Sequence, residues 1–229
     1  MPSSPPPKAV NLALQGGGSH GAYAWGVLDQ ILEDGRLTVE GISATSAGTM
    51  NALAFACGLE QGGAEGAREA LEAFWREISN AGNVFSLVRP MGWERWQNAW
   101  LGAPSGWNMN HSWTYSAFEA LTSMFSPYQF NPLGLNPLRA IVEKAIDFRK
   151  VQACAGVRLF LSATNVRTGQ VEVFTNPEIT LDTAMATACL PQVFRTVEIG
   201  GNGYWDGGYM GNPVLFPLFY HTRARDLVI

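Results

Sequence analysis

Two strand-turn-helix units stand back to back in the first sixty residues, and they constrain the fold more than any other part of the chain. Residues 9–14, AVNLAL, form a short apolar run bounded by proline and glycine, the pattern of a strand buried on both faces. A glycine-rich turn follows, Gly16-Gly17-Gly18-Ser19-His20-Gly21. Beyond it Ala22, Trp25, Val27, Leu28, Ile31 and Leu32 recur at helical spacing, with Gly35 placed as a C-cap. Residues 37–46, LTVEGISATS, are β-rich, and residues 47–59, AGTMNALAFACGL, are small, apolar and helix-compatible. Such alternation predicts an α/β fold with a mainly parallel central sheet and helices on its faces.

Further along, residues 65–79 form an amphipathic helix with Ala67, Leu71, Phe74, Trp75 and Ile78 on one face. Residues 135–148 read as a helix after an Asn-Pro start. The runs 158–166 and 170–176 read as a strand pair around Arg167-Thr168-Gly169, and 181–190 as a helix stopped by Pro191. The stretch 201–214 reads as a turn-rich loop, and the final DLVI as a strand. Residues 80–136 differ from the rest: Trp93, Trp96, Trp100, Trp107 and Trp113 crowd together among Gly and Pro breaks. This segment is expected to be an insertion, either a lid or membrane-surface contact built on indole rings, or a satellite core under a long excursion.

Composition narrows the functional classes. The formal charge is -4, with no block of lysine and arginine, which sets nucleic acid aside as a partner. Cys57, Cys154 and Cys189 are odd in number and widely spaced, which suits buried free thiols. The start, MPSSPPPKAV, lacks the apolar core of a signal peptide, so residues 1–8 are expected to be a disordered Ser/Pro leader and the protein to be cytoplasmic, with contact at a membrane surface left open.

Three places carry chemistry. The glycine turn satisfies G-x-G-x-x-G in the strand-to-helix context of a dinucleotide site, so a nucleotide-binding oxidoreductase is one reading. That reading needs an acidic residue at the end of the second strand to hold the ribose. The chain instead has Ser43-Ala44-Thr45-Ser46-Ala47-Gly48 there, with Glu40 too early in the strand. Ala44-Thr45-Ser46-Ala47-Gly48 matches the G-x-S-x-G nucleophile elbow with alanine for the first glycine, the competing reading being a serine N-cap. Successive βα turns of a parallel sheet emerge at one edge, so the backbone N–H groups of Gly16, Gly17 and Gly18, with that of Ala47, are candidate oxyanion donors. His20, His111 and His221 show no setting for a general base. Asp206 in Asp206-Gly207-Gly208 is the alternative base, although alone it reads as a turn signal.

In this order the three pieces resemble the patatin-like phospholipase family: the glycine loop Gly16 to Gly21, the elbow Ala44 to Gly48, and the Asp206-Gly207-Gly208 motif. Ala188-Cys189-Leu190-Pro191 with Phe194, and Asn212-Pro213, are supporting matches. The resemblance covers residues 9–214 outside the tryptophan-rich middle. It implies a three-layer α/β/α fold and a Ser46-Asp206 dyad that cleaves lipid acyl esters through an acyl-enzyme. It also implies an oxyanion hole at Gly16 to Gly18 and no metal or organic cofactor. His20 stands where the family more often has Arg or Lys. Because the family's domain continues past D-G-G, residues 9–229 are expected to be an acyl hydrolase domain lacking its C-terminal part. A catalytically silent lipid-binding module is the remaining alternative.

Overall fold

A computed structural model of the protein describes residues 6–84, 126–131 and 133–229. The tryptophans expected to form a lid or a satellite core, Trp93 to Trp113, lie outside the described residues, as do residues 1–5 of the expected leader.

Seven strands form one sheet: β1 (Lys8–Leu14), β2 (Leu37–Ala44), β3 (Arg158–Asn165), β4 (Val171–Thr175), β5 (Val197–Ile199), β6 (Asn202–Asp206) and β7 (Leu227–Val228). Their order is β5-β6-β3-β2-β1-β7, with β4 also paired to β3. β1 runs parallel to β2 and β7, and β2 parallel to β3. β4 and β6 run antiparallel to β3, and β5 antiparallel to β6. β5 therefore shares the direction of β3, and only β4 and β6 oppose the common direction. The expectation of a mainly parallel sheet holds, and so does the 158–176 strand pair. The stretch expected to be a turn-rich loop, 201–214, contains β6 at Asn202–Asp206.

Seven α-helices surround the sheet among the described residues: α1 (Gly21–Asp34), α2 (Ala47–Val84), α3 (Pro127–Phe130), α4 (Pro137–Ala145), α5 (Phe148–Ala153), α6 (Leu181–Thr187) and α7 (Phe216–His221). α2 contains both helices expected from its sequence, because Gly62 and Gly63 leave helical geometry and turn the chain between them. Its first turns, Ala47 to Gly58, are buried on every side, as a helix of small and apolar residues at the centre of a fold must be. The single helix expected over 135–148 is two: Asp147 accepts the Arg149 N–H as an N-cap and starts α5 afresh.

Alternation along the strands builds the layers. Leu12, Ile42, Leu159 and Leu161 face a large core shared with α1, α2, α4, α5 and α6, whereas Ala13 and Phe160 face the opposite side and meet Leu218 of α7. The result is a three-layer α/β/α arrangement, thick on one side and thin on the other. One irregularity matters locally: pairing passes from Val10–Val39 to Asn11–Gly41, so Glu40 is bulged out of the ladder. Its carboxylate accepts the N–H groups of Arg223 and Ala224 at 2.9 and 2.7 Å, which ties the last loop to the sheet.

Candidate active site

The site forms where three connections leave the sheet. β2 ends at Ala44 and α2 begins at Ala47, so only Thr45 and Ser46 turn the chain. That turn holds Ser46 at φ +52°, and among the described residues it is the only non-glycine at positive φ. A side chain there is strained and stands proud of the turn, as an elbow serine does. The neighbours must be small: a Cβ on Gly48 would sit 2.1 Å from the Leu14 carbonyl oxygen and 2.9 Å from that of Gln15. Ala44, the departure from the family pattern, is fully buried and the turn forms around it.

The glycine loop leaves β1 beside this elbow. A Cβ on Gly16 would stand 2.8 Å from the Ser46 Cβ, so the loop and Ser46 are in contact. Gly21 opens α1 against the Trp75 ring and the Ala47 Cβ. Buried Asn51 reinforces that seat: its Nδ2 donates to the Gly21 carbonyl at 2.8 Å and its Oδ1 accepts from Trp75 Nε1 at 2.7 Å. His20 donates through Nδ1 to the Gly17 carbonyl at 2.9 Å, which closes the loop on itself and places the imidazole in a structural role.

Sheet register brings the third connection in. Ala44 of β2 pairs with Leu161 of β3, and Ala163, two residues further along β3, pairs with Asp206 of β6. Ser46, two residues beyond Ala44, thus shares a level with Asp206. Between them, Thr45 Oγ1 and Ser162 Oγ are hydrogen-bonded, and Thr45 Oγ1 also donates to the Gly211 carbonyl at 3.1 Å. Asp206 is 4% exposed. Its N–H donates to the Cys189 carbonyl at 2.8 Å, its carbonyl accepts from Thr164 Oγ1 at 2.9 Å, and its Oδ1 accepts the Gly208 N–H at 2.8 Å. Burial pushes the Asp206 carboxyl above the usual carboxylate range. The Gly208 N–H and then the Ser46 hydroxyl pull it partway back. Gly207 permits the approach, since a Cβ there would lie 2.1 Å from the Ser162 carbonyl oxygen.

One expected donor is committed elsewhere. The Gly16 N–H donates to Asn212 Oδ1 at 2.6 Å, and Asn212 Nδ2 reaches back to the Gly16 carbonyl at 3.4 Å. Gly16 therefore contributes space beside Ser46, while the N–H groups of Gly17, Gly18 and Ala47 have no acceptor among the described residues. Gly18, at φ +58°, turns the loop, and Ala47 is the first residue of α2, whose positive end faces the elbow. In the sequence Asn212 was visible only as part of an Asn-Pro pair. Its clamp on a loop 196 residues away has no local signature.

The dinucleotide reading loses its footing here. The position that would hold a ribose carries Ser46, and Glu40 is occupied by the Arg223 and Ala224 amides, which hold its carboxyl below the ordinary range. Among the described residues no three His, Cys, Asp or Glu side chains converge as metal ligands, and no helix is long and apolar enough to cross a membrane. His221 stacks on Phe160, away from Ser46.

Comparison with known proteins bears on the fold and the family. VipD from Legionella pneumophila superposes with a TM-score of 0.52 at 16% identity, covering 99% of this chain and 50% of its own. The ExoU-SpcU complex from the type III secretion system of Pseudomonas aeruginosa gives a TM-score of 0.39 at 17% identity, covering 99% of this chain and 44% of its own. The chain thus spans about half the length of these solved structures. No curated protein matches it. The model of the family described as Patatin-like phospholipase matches residues 12–219, from β1 into α7 and across all three motifs, and the chain belongs to that family.

Proposed function

We propose that this domain hydrolyses carboxylic esters of lipids through an acyl-enzyme, with Ser46 as nucleophile and Asp206 as general base. The observation that carries the reading is a serine held at positive φ at the level of a buried carboxylate in the adjoining sheet connection. Ser46 Oγ attacks the ester carbonyl carbon while its proton passes to Asp206. The carbonyl oxygen becomes an oxyanion that accepts from the N–H groups of Gly17, Gly18 and Ala47, aided by the N-terminus of α2. Collapse breaks the ester C–O bond, and the departing alkoxide takes the proton from Asp206. Water then attacks the acyl-enzyme, gives a proton to Asp206, and the carboxylic acid leaves as Ser46 Oγ recovers that proton. A carboxylate serves as base here because burial raises its basicity toward the task.

The lipid character of the substrate follows from family membership. A fluorophosphonate probe is expected to label Ser46, and Ser46→Ala and Asp206→Asn are each expected to abolish hydrolysis of a p-nitrophenyl acyl ester. Labelling of a different serine, or undiminished turnover by either folded variant, defeats the assignment. Turnover across phospholipids, triglycerides and short esters then sorts phospholipase from neutral-lipid activity.

A further inference from the structure

Two successive peptide units of the glycine loop are each gripped by a side chain at the carbonyl end. The unit joining Gly16 to Gly17 has its carbonyl on Asn212 Nδ2 at 3.4 Å. The unit joining Gly17 to Gly18 has its carbonyl on His20, which reaches it twice: the backbone N–H donates at 3.2 Å and ring Nδ1 at 2.9 Å. A carbonyl oxygen only accepts, so Nδ1 carries a hydrogen. Among the described residues the only cis peptide is Asn212-Pro213, so the Gly17–Gly18 unit is trans. Its N–H therefore points away from its carbonyl, on the side remote from the imidazole. That N–H has no acceptor among the described residues. Little else holds the unit. A Cβ on Gly18 would meet no atom within 4 Å among the described residues, and the nearest neighbours of one on Gly17 would all be atoms of His20. With a glycine on either side, no side chain resists rotation of the peptide plane. Turned over, the unit would present an oxygen where it now presents a hydrogen. Packing does not choose between the two arrangements, and the bonds from His20 do.

Resting on the hydrolytic reading above, we infer that His20 is a positioning residue for the oxyanion: by holding the Gly17 carbonyl, its ring keeps the Gly18 N–H facing the substrate and makes it a stronger donor. The first effect is orientation. The ring bond is the shorter of the two that His20 makes, and the backbone bond left without it stands at the long end of the normal range. The second effect is polarisation. Carbonyl and N–H belong to one resonant peptide unit, so a hydrogen bond to the oxygen draws charge from the nitrogen, and bonds linked in this way strengthen one another. His20 thus acts through the peptide and takes no proton from Ser46. Asn212 does for the Gly17 N–H what His20 does for the Gly18 N–H, from the far end of the chain.

The test measures kcat and KM on a p-nitrophenyl acyl ester for the parent, His20→Asn and His20→Leu. Asparagine places Nδ2 where the imidazole has Nδ1 and keeps the donor, whereas leucine has the same outline without it. Acylation and deacylation both form the oxyanion, so His20→Leu should slow both. Its kcat should fall at least tenfold with KM within about twofold of the parent, a part of the roughly 10²–10³-fold cost of losing such a donor outright. His20→Asn should recover most of that loss, to within about threefold of the parent. An active parent whose kcat is unchanged in His20→Leu overturns the proposal. An equal loss in His20→Asn and His20→Leu overturns it too, because the ring's shape and not its donor would then be the cause. If the parent hydrolyses none of a panel of acyl esters, the hydrolytic reading falls, and crystal structures of the three proteins decide the remainder. A Gly17 carbonyl turned from its present direction in His20→Leu alone leaves the hold on the peptide standing, and any other result overturns that as well.

Discussion

Replacing Ser46 by glycine removes a hydroxyl, and it also releases a backbone that the two-residue turn from β2 to α2 holds at φ +52°. An L residue in the left-handed region carries roughly 1–2 kcal/mol of steric strain. Glycine escapes that strain but gives up about 0.5–1 kcal/mol of chain entropy relative to alanine. Ser46→Ala keeps both the Cβ and the strain, so the comparison of the two variants isolates the backbone. The Cβ that glycine loses is also the atom pressed against Gly16, so its removal sacrifices little favourable packing. Ser46→Gly should therefore be more stable than Ser46→Ala by about 0.5–1 kcal/mol, the difference of the two terms. For a chain of 229 residues this corresponds to a melting point about 1–4 °C higher. Thermal unfolding of both proteins, followed side by side by far-UV circular dichroism, reads the difference directly. Both variants lack the Ser46 hydroxyl, so its chemistry does not enter the comparison. A Ser46→Gly protein that melts below Ser46→Ala refutes the claim that the elbow stores strain.

The native Asp206 carboxyl keeps its proton to higher pH than the unfolded chain does, chiefly through burial, so stability falls as pH rises through the unfolded and then the folded pKa. Asp206→Asn removes that loss. Denaturant melts over a pH series should show the variant gaining on the parent as pH climbs through this window, and the acid limb of the parent's kcat/KM should lie above the ordinary carboxylate range. Asn212→Ala frees the Gly16 N–H and costs about 0.5–1.5 kcal/mol of stability. It should also lower kcat about 100-fold with little change in KM, because the Gly17 and Gly18 amides lose their anchor. Steady-state kinetics on a short ester checks this. Gly48→Ala forces a methyl to within 2.1 Å of the Leu14 carbonyl oxygen, where only backbone can give way. Its melting point should drop by about 2–12 °C, from an overpacking cost of roughly 1–3 kcal/mol.

The first half of the site was open to sequence reading because local physics builds it. Apolar runs, glycines and helical spacing specify β1, the glycine loop, α1, β2 and the elbow within sixty residues, and each depends on neighbours close in the chain. Of the second half, Asp206 was legible as a motif but the strand that carries it was not. Asn202 to Asp206, NGYWD, follows Gly200-Gly201 and carries another glycine, so it reads as a loop. It is a strand because β3 and β5 pair with it, which is a tertiary condition. α7 was missed for a related reason: FPLFYH is short, and it exposes Phe216, Phe219 and Tyr220 while burying Leu218, so no amphipathic period can be read from it.

Asp206 shows why local and functional readings need not compete. Locally Asp-Gly-Gly is a turn signal, and the structure honours it, since Oδ1 accepts the Gly208 N–H as a turn aspartate does. That same bond fixes the carboxylate's rotamer, and the register of β6 on β3 buries it at the level of Ser46. The glycine loop divides its labour in a comparable way. A single fingerprint suggested one purpose for all its glycines, but Gly16 clears space at Ser46 and spends its N–H on Asn212, Gly18 supplies a positive φ, and Gly21 seats α1 under Trp75. A motif that matches a dinucleotide site letter for letter can thus belong to a patatin-like fold, because glycine spacing records where backbone must pass closely, and what it passes is decided by the strand beside it.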